Sequence, residues 1–199
     1  HDHFDHLDKQ SVARLVKNNP RMKLFCGLGT GELIKSWFPE LEVTEAGWYQ
    51  QIEDGRLKIT FLPAQHWSKR SVRDGGRRLW GAFMVQGDGI SIYYSGDTGY
   101  SRHFREIPEL FGTPDYALVG IGAYKPRWFM QPNHISPYDA LTASTDMKAA
   151  LTIPMHYGTF DLSDEPLHDP PQVFAAEAKK RRIDVYIPVL GEIVKLKRM

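Results

Sequence analysis

The 199-residue chain has one cysteine, Cys26. It forms no intrachain disulfide and builds no cysteine-rich metal site. Cys26 lies in the apolar run Lys23-Leu24-Phe25-Cys26-Gly27-Leu28, where a buried structural thiol is expected. No run approaches the roughly 18 apolar residues of a membrane span. A net charge of +1 exerts no strong pull on nucleic acid or anionic lipid, and no basic stripe tracks a backbone. The local clusters Lys69-Arg70 with Arg73, Arg77-Arg78 and Lys179 to Arg182 read as solvated faces. Repeats and low-complexity segments are absent. Hydrophobic content of 42% and charged content of 25% are those of an ordinary globular protein. The length predicts one domain over residues 1–199 with a sizeable core.

What the chain does have comes first: His1-Asp2-His3-Phe4-Asp5-His6, the pattern H-x-H-x-D-H. Imidazole suits zinc, iron, nickel and copper, and carboxylate adds a harder oxygen. Interleaved Asp and Phe, running straight into Leu7-Asp8, set this cluster apart from a plain histidine tag. A metal-binding loop needs a strand to hold it, and none precedes His1. The chain therefore reads as the C-terminal portion of a longer one, with an open sheet edge where the first strands would pair.

Helices and strands alternate after that. Asp8 to Asn18 and Thr30 to Phe38 read as helices, the second capped by Thr30. Lys23 to Leu28, Val43 to Ala46 and Leu57 to Leu62 read as strands. Leu79 to Gln86 and Ile90 to Ser95 flank Gly87-Asp88-Gly89 as a hairpin. Helices are expected over Ser101 to Phe111, Ser136 to Lys148 and Pro170 to Arg182. Strands are expected at Tyr116 to Gly120, Leu151 to Met155, Tyr186 to Val189 and Ile193 to Leu196. The sum is an α/β domain with helices on sheet faces.

Against that pattern, the remaining ligand-type residues fall just past strand ends. His66 follows Phe61-Leu62-Pro63, Asp97 follows Ile92-Tyr93-Tyr94, and His156 follows Ile153-Pro154-Met155. In α/β sheets functional loops gather at such ends. With His1, His3, Asp5 and His6 they make seven ligands. Seven exceed one tetrahedral zinc and suit two metals sharing a carboxylate. Gly96 and Gly99 let the backbone around Asp97 turn tightly.

The H-x-H-x-D-H run, a later His, Gly96-Asp97-Thr98-Gly99 and a final His resemble the metallo-β-lactamase superfamily. Pro63 to Arg70, Gly96 to Tyr100, Gly122 to Met130 and His156 to Phe160 resemble its N-acylphosphatidylethanolamine-hydrolysing phospholipase D branch, and the similarity runs to about Pro171. The resemblance implies an αβ/βα sandwich whose N-terminal strands are missing here. It implies two Zn2+, with Mn2+ or iron as alternatives. His1, His3 and His66 would hold one ion, and Asp5, His6 and His156 the other, with Asp97 bridging and orienting the nucleophile. It also places His134 near the substrate, where it would serve the leaving group.

Other site residues follow from local context. Lys69, Arg70 and Arg127 are candidates to meet a phosphate. Tyr124, Trp128 and Phe129 are candidates to meet an acyl chain, because Arg127 to Met130 reads as a loop with little reason to be buried. His103 and His168 read as surface residues. The expected activity is a phosphodiesterase of phospholipase D type on a lipid-like substrate. A lactonase or other hydrolase on the same fold, or an inactive metal-binding fragment or scaffold, are the rivals. Expected partners are a lipid-like or small-molecule substrate and no nucleic acid, with peripheral membrane contact and a homodimer both compatible. The expected location is the cytoplasm or a membrane surface.

Overall fold

The computed structural model describes residues 1–198. Its elements run α1 (Lys9–Asn18), β1 (Lys23–Gly27), α2 (Thr30–Trp37), β2 (Glu42–Ala46), β3 (Gln51–Asp54), β4 (Leu57–Leu62), β5 (Ala82–Gly87), β6 (Ile90–Tyr94), α3 (His103–Phe111), β7 (Tyr116–Gly120), α4 (Arg127–Met130), α5 (Pro137–Met147), β8 (Leu151–Met155) and α6 (Asp169–Arg181). β1 and β2 pair in parallel as one sheet. The other sheet has the order β3-β4-β5-β6-β7-β8, antiparallel through β6 and parallel from β6 to β8.

Strand β4 shows why two sheets stack. Ile59 and Phe61 are buried on one face, and Thr60 and Leu62 on the other. Leu62 joins Met84, Tyr93, Phe104, Leu141 and Phe174 in the main core, where α3, α5 and α6 cover the larger sheet. On the opposite face, a Cβ added to Gly27 in β1 would stand 2.9 Å from the Phe61 ring. A second core of Val12, Cys26, Ile34 and Leu41 joins α1 and α2 to the small sheet. Burial pushes the Cys26 thiol up to about 12, which fits a packed and unreactive group.

Most boundaries follow local chemistry. Asp88 and Gly89 both have positive φ, as a two-residue hairpin turn with the strands' own twist requires. Ser136 caps α5 through a reciprocal capping box with Asp139, with Pro137 in the first turn. Asp8 caps α1 by accepting from Ser11 N.

Several expectations are corrected. Thr30 is the first helical residue of α2 and not its cap; the cap is Gly29, in the left-handed region. β5 begins at Ala82, because Leu79 N instead donates to Leu28 O. β3 was not anticipated. Arg127–Met130 forms one helical turn, α4, where a loop was expected. Neither Tyr186 to Val189 nor Ile193 to Leu196 is a strand. Val185 bridges Thr152 and Tyr186 N donates to Thr152 O, but Pro188 carries no donor and Gly191 turns the chain away. His103 is buried at 7% exposure, on the face of α3 that carries Phe104 and Ile107. Its ring lies 4.1 Å from that of Phe104, and burial draws its pKa down to about 4.

Leu141 is fully buried where α5 meets the larger sheet. Leu141→Ala should lower the unfolding free energy by about 2–5 kcal/mol in urea titrations. A loss below ~1 kcal/mol would mean that this part of the core repacks freely.

Candidate metal centre

The first six residues form a tight turn. His3 O accepts from His6 N at 3.1 Å and from Leu7 N at 2.8 Å. The turn is held from behind by Asp2, which is fully buried. Asp2 accepts from Lys69 N at 2.9 Å and from Arg78 Nη1 at 2.7 Å. Arg78 also donates to Asp74, and Asp74 accepts from the backbone of Arg70 and Ser71. Arg70 Nη1 donates to the carbonyls of Asp2 and Leu7 at 2.6 and 2.8 Å, with its guanidinium 3.9 Å from the Phe4 ring. The x positions of the motif thus anchor the loop, while His1, His3, Asp5 and His6 face the other way.

Two groups of ligand atoms result. In one, His1 Nε2 lies 2.8 Å from His3 Nδ1, and His66 Nε2 lies 3.4 Å from the same atom. His66 Nδ1 is 3.1 Å from Asn133 O, which fixes that nitrogen as a donor and turns Nε2 inward. In the other group, His156 Nε2 is 3.7 Å from Asp5 Oδ2 and 3.2 Å from Asp97 Oδ1. His6 Nε2 stands 3.1 Å from Asp97 Oδ2, although not at a hydrogen-bonding angle. Asp97 joins the two groups, since its Oδ2 is also 3.8 Å from His1 Nε2 and 3.9 Å from His66 Nε2.

The donor set suits a cation. Three imidazole nitrogens converge in the first group without a carboxylate among them, and His6 Nε2 is buried without a hydrogen-bond partner. A shared positive ion satisfies lone pairs that the protein leaves facing one another. Burial draws the His66 pKa to about 3 and lowers that of His3, which favours the neutral form that a ligating imidazole needs. Burial opposes the charge on Asp97, yet contact with His6 and the neighbouring His156 and His134 hold its carboxyl well below the usual range. Burial likewise opposes a charged His156, but Asp5 and Asp97 raise its pKa.

Backbone constraints hold these side chains in place. His156 and Ala123 both have φ of 58°, in the left-handed region. Gly122 lets them meet: a Cβ there would stand 2.1 Å from His156 O. Gly99 does the same for the Asp97 loop, where a Cβ would stand 2.4 Å from Pro132 O.

The structure brings His134 to the same centre, with Nδ1 3.8 Å from Asp97 Oδ2 and its ring 5.2 Å from that of His66. It also completes a third set of ligand-type atoms with His66 and Asp97. The proposed substrate residues scatter. Arg70 is committed to the first loop, and Arg127 pairs with Asp139 at 2.7 Å. Tyr124 is buried and donates to Asp169 at 2.9 Å. These three are taken by partners that sequence does not reveal. Lys69 is exposed, and Trp128 and Phe129 are exposed on α4. Sequence reasoning missed the anchor Asp2 and gave no site role to the segment after His156, although His156 to Phe160 carries part of the family resemblance. That segment walls a cavity of about 520 Å³ opening beside Asp5, His6 and His156. The alternation within H-x-H could have pointed to Asp2; nothing local marks the cavity.

A sequence model of the beta-lactamase superfamily domain matches residues 1–157. The chain is 34% identical over 198 residues to the N-acyl-phosphatidylethanolamine-hydrolyzing phospholipase D 1 of Caenorhabditis elegans, covering 93% of this chain and 54% of that protein. It is 31% identical to a metal-dependent hydrolase of Sulfurisphaera tokodaii, covering 98% of this chain and 78% of the other. Among solved structures, a metallo hydrolase from Ignicoccus hospitalis superposes with a TM-score of 0.76 at 22% identity, covering 99% of this chain and 78% of that one. The chain spans about half the length of the worm protein.

Asp2→Ala should lower affinity for divalent metal by about 10–100-fold, because it frees the loop without removing a ligand. Chelator competition measures this, with circular dichroism as a check that the fold persists. Unchanged affinity would reduce Asp2 to a general stability role.

Proposed function

Because the chain belongs to the metallo-β-lactamase superfamily, in its N-acylphosphatidylethanolamine-hydrolysing phospholipase D-like branch, we propose that it is a two-zinc phosphodiesterase that cleaves a lipid phosphodiester at the bond releasing phosphatidate. The observation that carries this reading is the position of Asp97, whose carboxylate lies within 3.9 Å of imidazoles from both ligand groups. His1, His3 and His66 would hold one ion, and Asp5, His6 and His156 the other. When bound, the ions supply Lewis acidity toward a phosphoryl oxygen and lower the pKa of water toward neutrality.

The chain's own residues do the rest. Asp97 is acceptor-only when ionised, so it takes a hydrogen bond from the attacking water and fixes its lone pair toward phosphorus. His134 is needed by neither of the two ligand groups joined by Asp97, and its N–H is free to serve the leaving oxygen. Trp128 and Phe129, 82% and 62% exposed on α4, are suited to rest at a lipid surface beside the centre. No helix among the described residues is long and apolar enough to cross a membrane.

Asp97→Asn should abolish turnover of N-acyl phosphatidylethanolamine in detergent micelles and lower metal content from two ions per chain. His134→Ala should cut kcat by about 10²–10⁴-fold with a smaller change in KM. Rapid hydrolysis of a soluble lactone with no cleavage of lipid phosphodiesters would replace this reading by the lactonase one. Changing Trp128 and Phe129 together to Ser should weaken sedimentation with phospholipid vesicles several-fold; equal sedimentation would remove α4 from any membrane contact.

A further inference from the structure

His134 sits in the short connection between α4 and α5. Three consecutive carbonyls of that connection each meet a donor from outside it. Pro132 O accepts from Gln65 Nε2 at 2.8 Å. Asn133 O accepts from His66 Nδ1 at 3.1 Å. His134 O meets Arg127 Nη1 at the longer distance of 3.5 Å. Within the connection, Asn133 N and His134 N both donate to Met130 O at 2.9 Å.

Gln65 ties this connection to the rest of the centre. Its N donates to Thr98 Oγ1 at 2.9 Å, and its O accepts from Gly99 N at 2.8 Å, in an isolated antiparallel bridge to the loop that carries Asp97. Its side chain then crosses to Pro132. Gly99 leaves room for the crossing, since a Cβ there would stand 2.8 Å from Gln65 Nε2. A carbonyl can only accept, so the amide must turn its NH2 toward Pro132 O. One residue thus holds the Asp97 loop by its backbone and the His134 turn by its side chain, and the next residue in the chain is the candidate ligand His66. Gln65 is exposed and contributes no atom to either group of ligands.

We infer that Gln65 is a positioning residue, whose amide holds His134 beside Asp97 for its work on the leaving oxygen. This rests on the phosphodiesterase reading. His134 Nδ1 is 3.8 Å from Asp97 Oδ2. A proton donor displaced by about 1 Å loses much of its effect, so a bond to the backbone two residues before it acts on rate more than on binding. Of the three ties to the turn, this one can be cut cleanly. Changing His66 removes a candidate ligand, and Arg127 also pairs with Asp139 at 2.7 Å.

The test uses the metal-loaded protein with Gln65→Met, which keeps the length of the side chain and removes the donor. The residue is exposed and its backbone bonds survive the change, so the variant should fold. On N-acyl phosphatidylethanolamine in detergent micelles, kcat should fall by about 10–100-fold with KM within about twofold, at the wild-type metal content. In a His134→Ala background the same change should lower kcat by less than about twofold, because the residue through which it acts is gone. A general structural role would lower kcat by the same factor in both backgrounds. Amide hydrogen exchange at Asn133 and His134 should quicken by about fivefold, as the loss of one hydrogen bond implies. Unchanged exchange, unchanged kcat, equal losses in the two backgrounds or a fall in metal content would each overturn the inference. Exchange is read without substrate, so the two readings fail separately. Quickened exchange in a protein that cleaves no phosphodiester would refute the hydrolytic reading and leave the hold of Gln65 on the His134 turn standing.

Discussion

Asp97 sits at the point where two groups of imidazoles would otherwise face each other across a buried space. A buried carboxylate is costly unless it is paired, and this one has His1, His6, His66, His134 and His156 within 3.9 Å. The imidazoles in turn arrive from the first loop, from the ends of β4 and β8, and from the turn between α4 and α5. Each element is therefore constrained by the need to deliver a ring to one carboxylate. The left-handed backbone at His156 and the close contacts of Gly99 and Gly122 are local costs of that convergence.

Charges around the centre divide into two populations. Those in front, Asp5 and Asp97, face the converging nitrogens. Those behind, Asp2, Asp74, Arg70 and Arg78, satisfy one another and the backbone, and act as a brace. Arg127 and Asp139 brace α4 against the start of α5 in the same manner, beside His134. The arginines that a sequence offers as phosphate ligands are thus spent on holding the ligands still.

The candidate ligands were legible because each carries its chemistry in its side chain, and because His66, Asp97 and His156 each follow a strand that the sequence reveals. β4, β6, β7 and β8 could be placed to within a residue on that basis. What sequence concealed depends on partners far along the chain. His103 reads as polar, yet shares a helix face with Phe104 and Ile107. Arg70 and Arg127 read as free cations until Leu7 O and Asp139 are brought to them. Tyr186 to Val189 has strand composition, but Pro188 leaves the ladder without a donor. The cavity wall is harder still, because its shape depends on Glu165 reaching across to Tyr124 and Lys125.

Strand β4 is buried on both faces, so polarity alone does little to choose its pairing with β3 and β5. His66 hangs from the end of that strand, four residues past Leu62. A slip of one residue would move it by about 3.4 Å and turn Phe61 toward the helices. That displacement equals the whole gap between His66 Nε2 and His3 Nδ1. The centre therefore works as a gauge of alignment: a chain folded with β4 out of step would lack a ligand, and an ion that binds all three imidazoles selects the correctly threaded sheet.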